Sequence, residues 1–318
     1  MKDATELHDD IAQLFVRNNS KGETKLMPDS NALINIGEIS KPATVLIEKI
    51  SDAVGGIFRP YQIRRVAEAE AQAEKIKVVS QIEITDLQRR ALNRFMIEEA
   101  KKQDNIETIT KKSLQDISDD ARPQDIEDDW ITNFFDKCRL ISDGEMQQLW
   151  AKILAGQANT PGRFSKRTID LLSSLDKTDA QLFANLCAFG WFIGNVVPLI
   201  YDDETAIYTD TGITFNTLKH LDEIGLVSFD SLAGYRRIRL PQILLVRYYG
   251  APVKLEFPKL EDNELQTGKV LLSKAGQELA PICGSKPVPG FKDFVLQKWV
   301  EMGIKVEQIN IEPSTQRG

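Results

Sequence analysis

Residues 143–156 read Asp-Gly-Glu-Met-Gln-Gln-Leu-Trp-Ala-Lys-Ile-Leu-Ala-Gly, and this stretch carries a full set of helix signals. Asp143 is a residue type favoured at the N-cap, and Gly156 is one favoured just beyond a helix end. The apolar residues recur every three or four positions, which puts them on one helix face; they are Met146, Leu149, Trp150, Ile153 and Leu154. The stretch therefore predicts a short helix that packs one face into a core.

Similar short helices are predicted on both sides of this stretch. One begins at Asp128, one begins at Ser165, and one is capped by Asp176 or Thr178. Helices of this length joined by short loops are typical of a compact helical domain. We assign that domain to residues 122–199.

A long run without proline or glycine precedes this domain. It extends from Tyr61 to Asp119 directly after Pro60, a residue that suits the first turn of a helix. An unbroken helix of this length would measure about 88 Å at about 1.5 Å per residue. It carries a single apolar seam, which normally finds a partner helix by folding back or by oligomerisation; the seam is Ile84, Leu87, Ala91 and Phe95. We therefore predict a coiled-coil-like helix over residues 60–121 that makes the protein a homo-oligomer.

The N-terminal residues 1–59 predict a polar tail with short amphipathic helices. Apolar residues recur at helical spacing between Ala32 and Phe58, and Pro42 and Gly55-Gly56 divide them into pieces. An amphipathic helix can lie on a membrane surface or pack against protein. The acidic side chains in this stretch favour packing, so peripheral membrane contact is the weaker of the two hypotheses.

The chain changes character in residues 200–318, where we predict a winged-helix-like α+β domain. Residues 213–229 predict a helix that ends at Gly225 and continues into a strand, and Tyr235–Leu240 alternates like a returning strand. Helix, strand, turn and strand in this order are typical of a winged helix-turn-helix. The predicted fold class is therefore mainly α, with a long N-terminal helix, a central helical domain and this C-terminal domain.

A winged helix can bind DNA or protein, and the sequence leaves both hypotheses open. In DNA complexes of helix-turn-helix proteins the second helix reads the major groove, and the predicted wing offers cations for phosphates in Arg236, Arg237 and Arg239. The candidate recognition helix carries Lys219, but Asp222 and Glu223 follow it and oppose entry into a phosphate-lined groove.

Composition sets further limits on the class of protein. The 318 residues are 42% hydrophobic, and 40 basic against 47 acidic residues give a net charge of −7. This length predicts about two domains with buried cores, and the negative charge argues against non-specific coating of nucleic acid. The three cysteines lie far apart, and residues 1–8 show no apolar signal core. These features predict a cytoplasmic protein with reduced thiols.

Candidate catalytic chemistry is sparse in the sequence. Four neighbouring acidic residues could hold magnesium or could simply favour the start of a helix; they are Asp125, Glu127, Asp128 and Asp129. The two histidines, His8 and His220, do not form a catalytic pattern with neighbouring residues, and no phosphate-binding glycine loop is present. We therefore predict a non-enzymatic protein without a cofactor or a small-molecule substrate.

Two segments carry a family resemblance. One is Gly56-Ile-Phe-Arg-Pro-Tyr-Gln-Ile-Arg-Arg-Val-Ala-Glu-Ala-Glu-Ala, and the other is residues 143–156 followed by Arg163-Phe-Ser and Leu175-Asp-Lys-Thr-Asp-Ala. Together they resemble an uncharacterised bacterial domain-of-unknown-function family over most of the chain. Residues 56–190 also resemble the abortive-infection alpha family of phage-resistance proteins.

The resemblance supplies an expected function rather than catalytic residues. Its motifs include core-type residues such as Leu149, Trp150 and Phe164, so it speaks mainly to fold. It implies a role in bacterial anti-phage defence. Because the long helix predicts self-association and no catalytic pattern is present, we expect a non-enzymatic protein that acts by self-association and by contacts with a protein partner. The alternative hypothesis is a DNA-binding winged-helix regulator that uses the arginines of the predicted wing.

Overall fold

A computed structural model of the chain describes residues 40–54 and 85–309. Short 3-10 turns at Leu114–Asp116 and Pro123–Asp125 connect the second helix to the third. In chain order the helices of the described ranges are α1 (Lys41–Val54), α2 (Asp86–Ser113), α3 (Asp128–Cys138), α4 (Gly144–Asn159), α5 (Lys166–Ser174), α6 (Lys177–Cys187), α7 (Ala206–Thr209), α8 (Phe215–Glu223), α9 (Lys274–Leu279) and α10 (Phe291–Glu301).

The strands of these ranges all lie in the C-terminal part of the chain. They are β1 (Gly190–Ile193), β2 (Asn195–Pro198), β3 (Val227–Phe229), β4 (Tyr235–Leu240), β5 (Ile243–Tyr248), β6 (Ala251–Glu256), β7 (Asn263–Gly268), β8 (Val270–Leu272) and β9 (Lys305–Gln308). Five of them form an antiparallel sheet in the order β2-β1-β5-β6-β9, while β3 pairs with β8 and β4 pairs with β7.

The helical part is built around the aromatic residues of α3 and α4. Phe134 is fully buried, with its ring 5.1 Å from Trp130 and 5.2 Å from Trp150. The predicted N-cap of α4 is confirmed, because the Asp143 carboxylate accepts hydrogen bonds from the amides of residues 145 and 146. The predicted stop at Gly156 is wrong, since α4 continues to Asn159.

The five-stranded sheet packs one face against α10. Trp299 of α10 and Trp191 of β1 are both buried, with ring centroids 4.7 Å apart. Val246 and Val253 face each other across β5 and β6 and are also buried. The helical part and the sheet share one continuous hydrophobic core, so helix α10 and strand β1 are held in fixed relation to α3 and α4.

The predicted fold class is wrong. The protein is not mainly α with a winged-helix-like end, because the C-terminal residues form three antiparallel sheets, one of them five-stranded. In a winged helix, β3 would form a hairpin with β4. Here β3 pairs with β8, and β4 pairs with β7. The alternation of Tyr235–Leu240 correctly indicates a strand, but alternation does not specify which strand lies beside it.

The long N-terminal helix is also not seen. Helix α2 begins at Asp86 because Thr85 and Gln88 form a capping box, in which each side chain bonds the backbone amide of the other. It ends at Ser113 and is followed by a 3-10 turn, so it has 28 residues. The rest of the predicted helix before Thr85 lies outside the described residues, as do the predicted elements of residues 1–39. Helix composition alone could not reveal the cap that starts α2.

Candidate functional site

Helix α2 divides into an anchored half and an exposed half. In the anchored half, Asn105, Ile106, Ile109, Thr110 and Ser113 are buried. In the exposed half, every residue from 85 to 98 is exposed to solvent. The first half of α2 therefore extends beyond the helical part of the protein, and only its second half packs into the core.

A buried polar network fixes the orientation of α2. Asn105 Nδ2 donates to the carbonyl oxygen of Arg139 at 2.8 Å, and Gln147 Nε2 donates to Asn105 Oδ1 at 3.2 Å. Lys112 Nζ in turn donates to Gln147 Oε1 at 3.0 Å. Because buried amides that pair with each other are costly to separate, α2 is held rigidly against α4.

The exposed half carries large apolar side chains on the side that is buried further along. At 3.6 residues per turn, Leu92 and Phe95 lie on the same side of α2 as Ile106 and Ile109. Yet Phe95 is 57% exposed, whereas Ile109 is 0% exposed. We call this exposed surface the α2 face; its residues are Leu87, Ala91, Leu92 and Phe95. The α2 face is thus the continuation of a core-facing side into solvent.

The sequence predicted most of this surface and missed part of it. The predicted seam includes Leu87, Ala91 and Phe95, which the structure places on the α2 face, while Ile84 lies outside the described residues. Leu92 was missed. Its spacing of three residues from Phe95 was the signal that could have found it.

Charged residues lie elsewhere on the exposed half, and Arg89 and Arg90 lie on the side of the helix away from Phe95. The first turns carry Asp86 and three arginines, which is a net charge of +2 (three positive minus one negative); the arginines are Arg89, Arg90 and Arg94. Glu98 and Glu99 follow directly. Ion pairs within the helix, such as Arg94 Nε to Glu98 Oε1 at 3.6 Å, leave these side chains largely exposed.

The acidic residues proposed as metal ligands lie near basic partners. Asp128 Oδ1 is 3.1 Å from Lys49 Nζ, and Asp129 Oδ2 is 3.5 Å from Lys166 Nζ. Asp125 is 3.7 Å from a guanidinium nitrogen of Arg122. Across residues 40–54 and 85–309, no group of three or more histidine, cysteine or acidic side chains is arranged to hold a metal ion.

The residues proposed for DNA contact are spread over two elements. Lys219 lies on α8, where its Nζ is 3.2 Å from Asp222 and 3.8 Å from Glu223. The three arginines lie on β4. Arg236 pairs with Glu264 of β7 at 3.2 Å, while Arg237 donates to the side chain of Asn195. Arg239 is exposed at an irregular position of the strand, with φ of 57°.

His220 does not stand alone, because its Nε2 lies 2.7 Å from Asp179 Oδ1. Asp179 itself is part of the capping box that starts α6. This contact links α8 to α6. The histidine therefore has a structural partner in the described part of the chain.

The comparison with protein families gives the class of this chain. The model of DUF2806, a protein family of unknown function, matches residues 89–295, which include the anchored half of α2, α3 to α9 and β1 to β8. The chain belongs to this family. No curated protein and no solved structure matches it. Among the helices of the described ranges, none has the length and apolar character needed to cross a bilayer.

Proposed function

We propose that this protein acts without enzymatic chemistry, as a self-associating module in bacterial anti-phage defence, and that the α2 face is the surface where copies join. The observation that carries the proposal is the exposure of Leu92 and Phe95 on a helix side that is buried further along. A helix of this kind is stabilised when a second helix covers its apolar residues.

The occupant that we propose is the α2 helix of a second copy, packed antiparallel. In a parallel pair, like ends of the two helix dipoles lie side by side. In an antiparallel pair, the helix dipoles oppose each other favourably.

The defence setting rests on the resemblance of residues 56–190 to the abortive-infection alpha family. Under this proposal the protein lies in the bacterial cytoplasm, and assembly brings together surfaces that contact a protein partner during infection. No catalytic residue is needed for this function. The DNA-binding alternative is less well supported, because Lys219 lies beside acidic residues and Arg236 is paired with Glu264.

We expect the double variant Leu92→Glu, Phe95→Glu to abolish self-association. Burial of each side chain is worth about 2 kcal/mol or more, so the loss of both in a paired interface should weaken association by at least about a hundredfold. Light scattering coupled to size-exclusion chromatography measures the mass directly. The matched control is Leu232→Glu, since Leu232 is 96% exposed and lies far from α2 in the sequence; this variant should keep the wild-type mass.

Phage plating tests the biological part of the proposal. Cells that express the wild-type protein should resist some phages, and the Leu92→Glu, Phe95→Glu variant should lose this resistance while Leu232→Glu keeps it. A wild-type protein that is monomeric at working concentration would contradict the assembly surface. Equal protection by the monomeric double variant would separate defence from assembly, and no protection by the wild type would argue against the defence function.

A further inference from the structure

Two cysteines that are distant in the sequence meet in the fold. Cys187 is the last residue of α6, and Cys283 follows α9 by four residues. The two side chains are neighbours, and both lie close to the Tyr249 hydroxyl. Cys283 Sγ donates to the carbonyl oxygen of Ala280 at 3.2 Å. Neither forms a disulfide. The third cysteine, Cys138, is buried in α3 within the helical part.

Tyrosines from the end of β5 hold the two cysteine segments together. The Tyr248 hydroxyl donates to the carbonyl of Ala188 at 2.8 Å and accepts from the amide of Val288 at 2.9 Å. The next residue, Tyr249, donates to Ser285 Oγ at 2.7 Å. These bonds tie the chain just after Cys187 to the chain just after Cys283, so the thiol contact is part of the fixed architecture.

The two thiols differ in chemical character. The neighbouring Cys187 thiol, together with the amide and hydroxyl of Ser285, lowers the pKa of Cys283 to about 7 despite its burial. Burial raises the pKa of Cys187 well above its usual range, and the same is true of Cys138. The thiolate is the reactive form of cysteine. Of the two sulfurs, Cys283 is therefore the one whose surroundings favour the thiolate.

A cavity of about 660 Å³ opens beside this pair. Residues next to both cysteines line it, namely Ala188 after Cys187 and Gly284 and Ser285 after Cys283. Cys187 is only 4% exposed, while Cys283 is partly exposed. Of the two thiols, Cys283 is therefore the one that a small solute can reach.

We propose that Cys283 is a site of reversible oxidation by small hydroperoxides, with Cys187 as the resolving thiol. The Cys283 thiolate attacks one oxygen of the hydroperoxide, a sulfur–oxygen bond forms, and the oxygen–oxygen bond breaks. The sulfur is oxidised to a sulfenic acid, and the other oxygen leaves as an alcohol or water after taking up a proton. The two electrons come from the sulfur.

Resolution then requires no further oxidant. The Cys187 sulfur attacks the sulfenic sulfur of Cys283, a disulfide forms, and the sulfur–oxygen bond breaks. The departing hydroxide leaves as water with the proton of the Cys187 thiol. In total, two thiols and one hydroperoxide give one disulfide and two molecules of water or alcohol. A thiol reductant restores the pair. This site is independent of the α2 face.

The pH dependence of alkylation gives one test. We expect the rate of Cys283 alkylation by iodoacetamide to rise with a midpoint near pH 7, and Cys138 to remain unreactive in the folded protein. The groups that face Cys283 are Cys187 and the Tyr249 hydroxyl, while Lys286 and Asp210 line the same cavity. A midpoint near that of a free cysteine would overturn the assignment of Cys283 as the reactive thiol.

Mass spectrometry after treatment with hydrogen peroxide tests the proposal itself. Wild-type protein and Cys138→Ser should both form a Cys187–Cys283 disulfide that dithiothreitol reverses. Cys187→Ser should stop at a sulfenic acid on Cys283 that dimedone captures, and Cys283→Ser should leave Cys187 unoxidised. Circular dichroism checks that the variants fold. Disulfide formation in the wild-type protein tests the proposal even if a variant does not fold. Absence of the disulfide in the wild type, or oxidation of Cys187 at the wild-type rate in Cys283→Ser, would overturn the proposal.

Discussion

Replacement of Phe134 by alanine is expected to lower the free energy of unfolding by about 4 kcal/mol, the usual cost of removing a buried phenylalanine ring. The ring is 0% exposed. It stacks on Trp130 at 5.1 Å and meets Phe135 at 5.1 Å and Trp150 at 5.2 Å, both edge to face. Since all these neighbours are themselves buried, the space left by the ring cannot be refilled by a small movement of one side chain.

Chemical denaturation followed by tryptophan fluorescence measures this loss. The matched control is Phe215→Ala, because Phe215 is 50% exposed at the start of α8 and makes one edge-to-face contact, with Phe229. We expect the control to lose about 1 kcal/mol. A loss below about 1.5 kcal/mol for Phe134→Ala would contradict the tight aromatic packing between α3 and α4.

Replacement of Gly268 by alanine is expected to cost about 3 kcal/mol of stability, for two reasons. Its φ of 89° lies in the left-handed region, which costs a side-chain-bearing residue about 1–2 kcal/mol. A Cβ at this position would also lie 2.2 Å from the carbonyl oxygen of Ile200, a backbone atom that cannot rotate away. The adjacent Lys269 amide donates to this same carbonyl at 2.7 Å, so the clash disrupts a backbone contact that ties β7 to the end of β2.

Gly250→Ala is the matched control that separates the conformational cost from the cost of the steric clash. Gly250 has a similar φ of 84° in the β5–β6 turn, but a Cβ there would meet no atom within 4 Å. We therefore expect the control to lose only the conformational cost of about 1 kcal/mol. Equal losses for the two variants in a denaturant titration would contradict the close approach of the Ile200 carbonyl to Gly268.

The local parts of the fold could be predicted from the sequence. Asp143 caps α4 as predicted, and Asp176, one of the two predicted candidates, caps α6. The helix before Gly225 and the alternating strand Tyr235–Leu240 are also confirmed. Caps and periodicities depend on residues within a few positions of each other, so the sequence contains the information needed.

The start of α2 was predictable but was missed. Thr85-Asp-Leu-Gln88 has the spacing of a capping box, and this signal lies inside a run of strong helix formers. The absence of proline and glycine from Tyr61 to Asp119 is compatible with one continuous helix, but it does not require one. Good helix propensity is compatible with a helix at each position, but it does not decide where one begins.

The α2 face and the cysteine pair also differ in how much of them the sequence predicts. Helical spacing predicted that Leu87 and Phe95 share one face, but only the packing of α2 against α4 decides that the face is buried at Ile109 and exposed at Phe95. The contact between Cys187 and Cys283 had no local signal at all. It depends on Tyr248, a strand residue that bonds to the neighbourhoods of both cysteines.

By itself, the sequence determined the short helices with their caps, the presence of a strand at Tyr235–Leu240 and the apolar side of α2. The tertiary structure alone decided that β3 pairs with β8 and β4 with β7, that the thiols of Cys187 and Cys283 meet, and that the α2 face is left exposed. The physical reason is the separation along the chain of the residues that interact. Helix caps and side-chain periodicity act within one or two turns, whereas strand partners, thiol contacts and covered faces are set by the packing of segments that lie far apart in the chain.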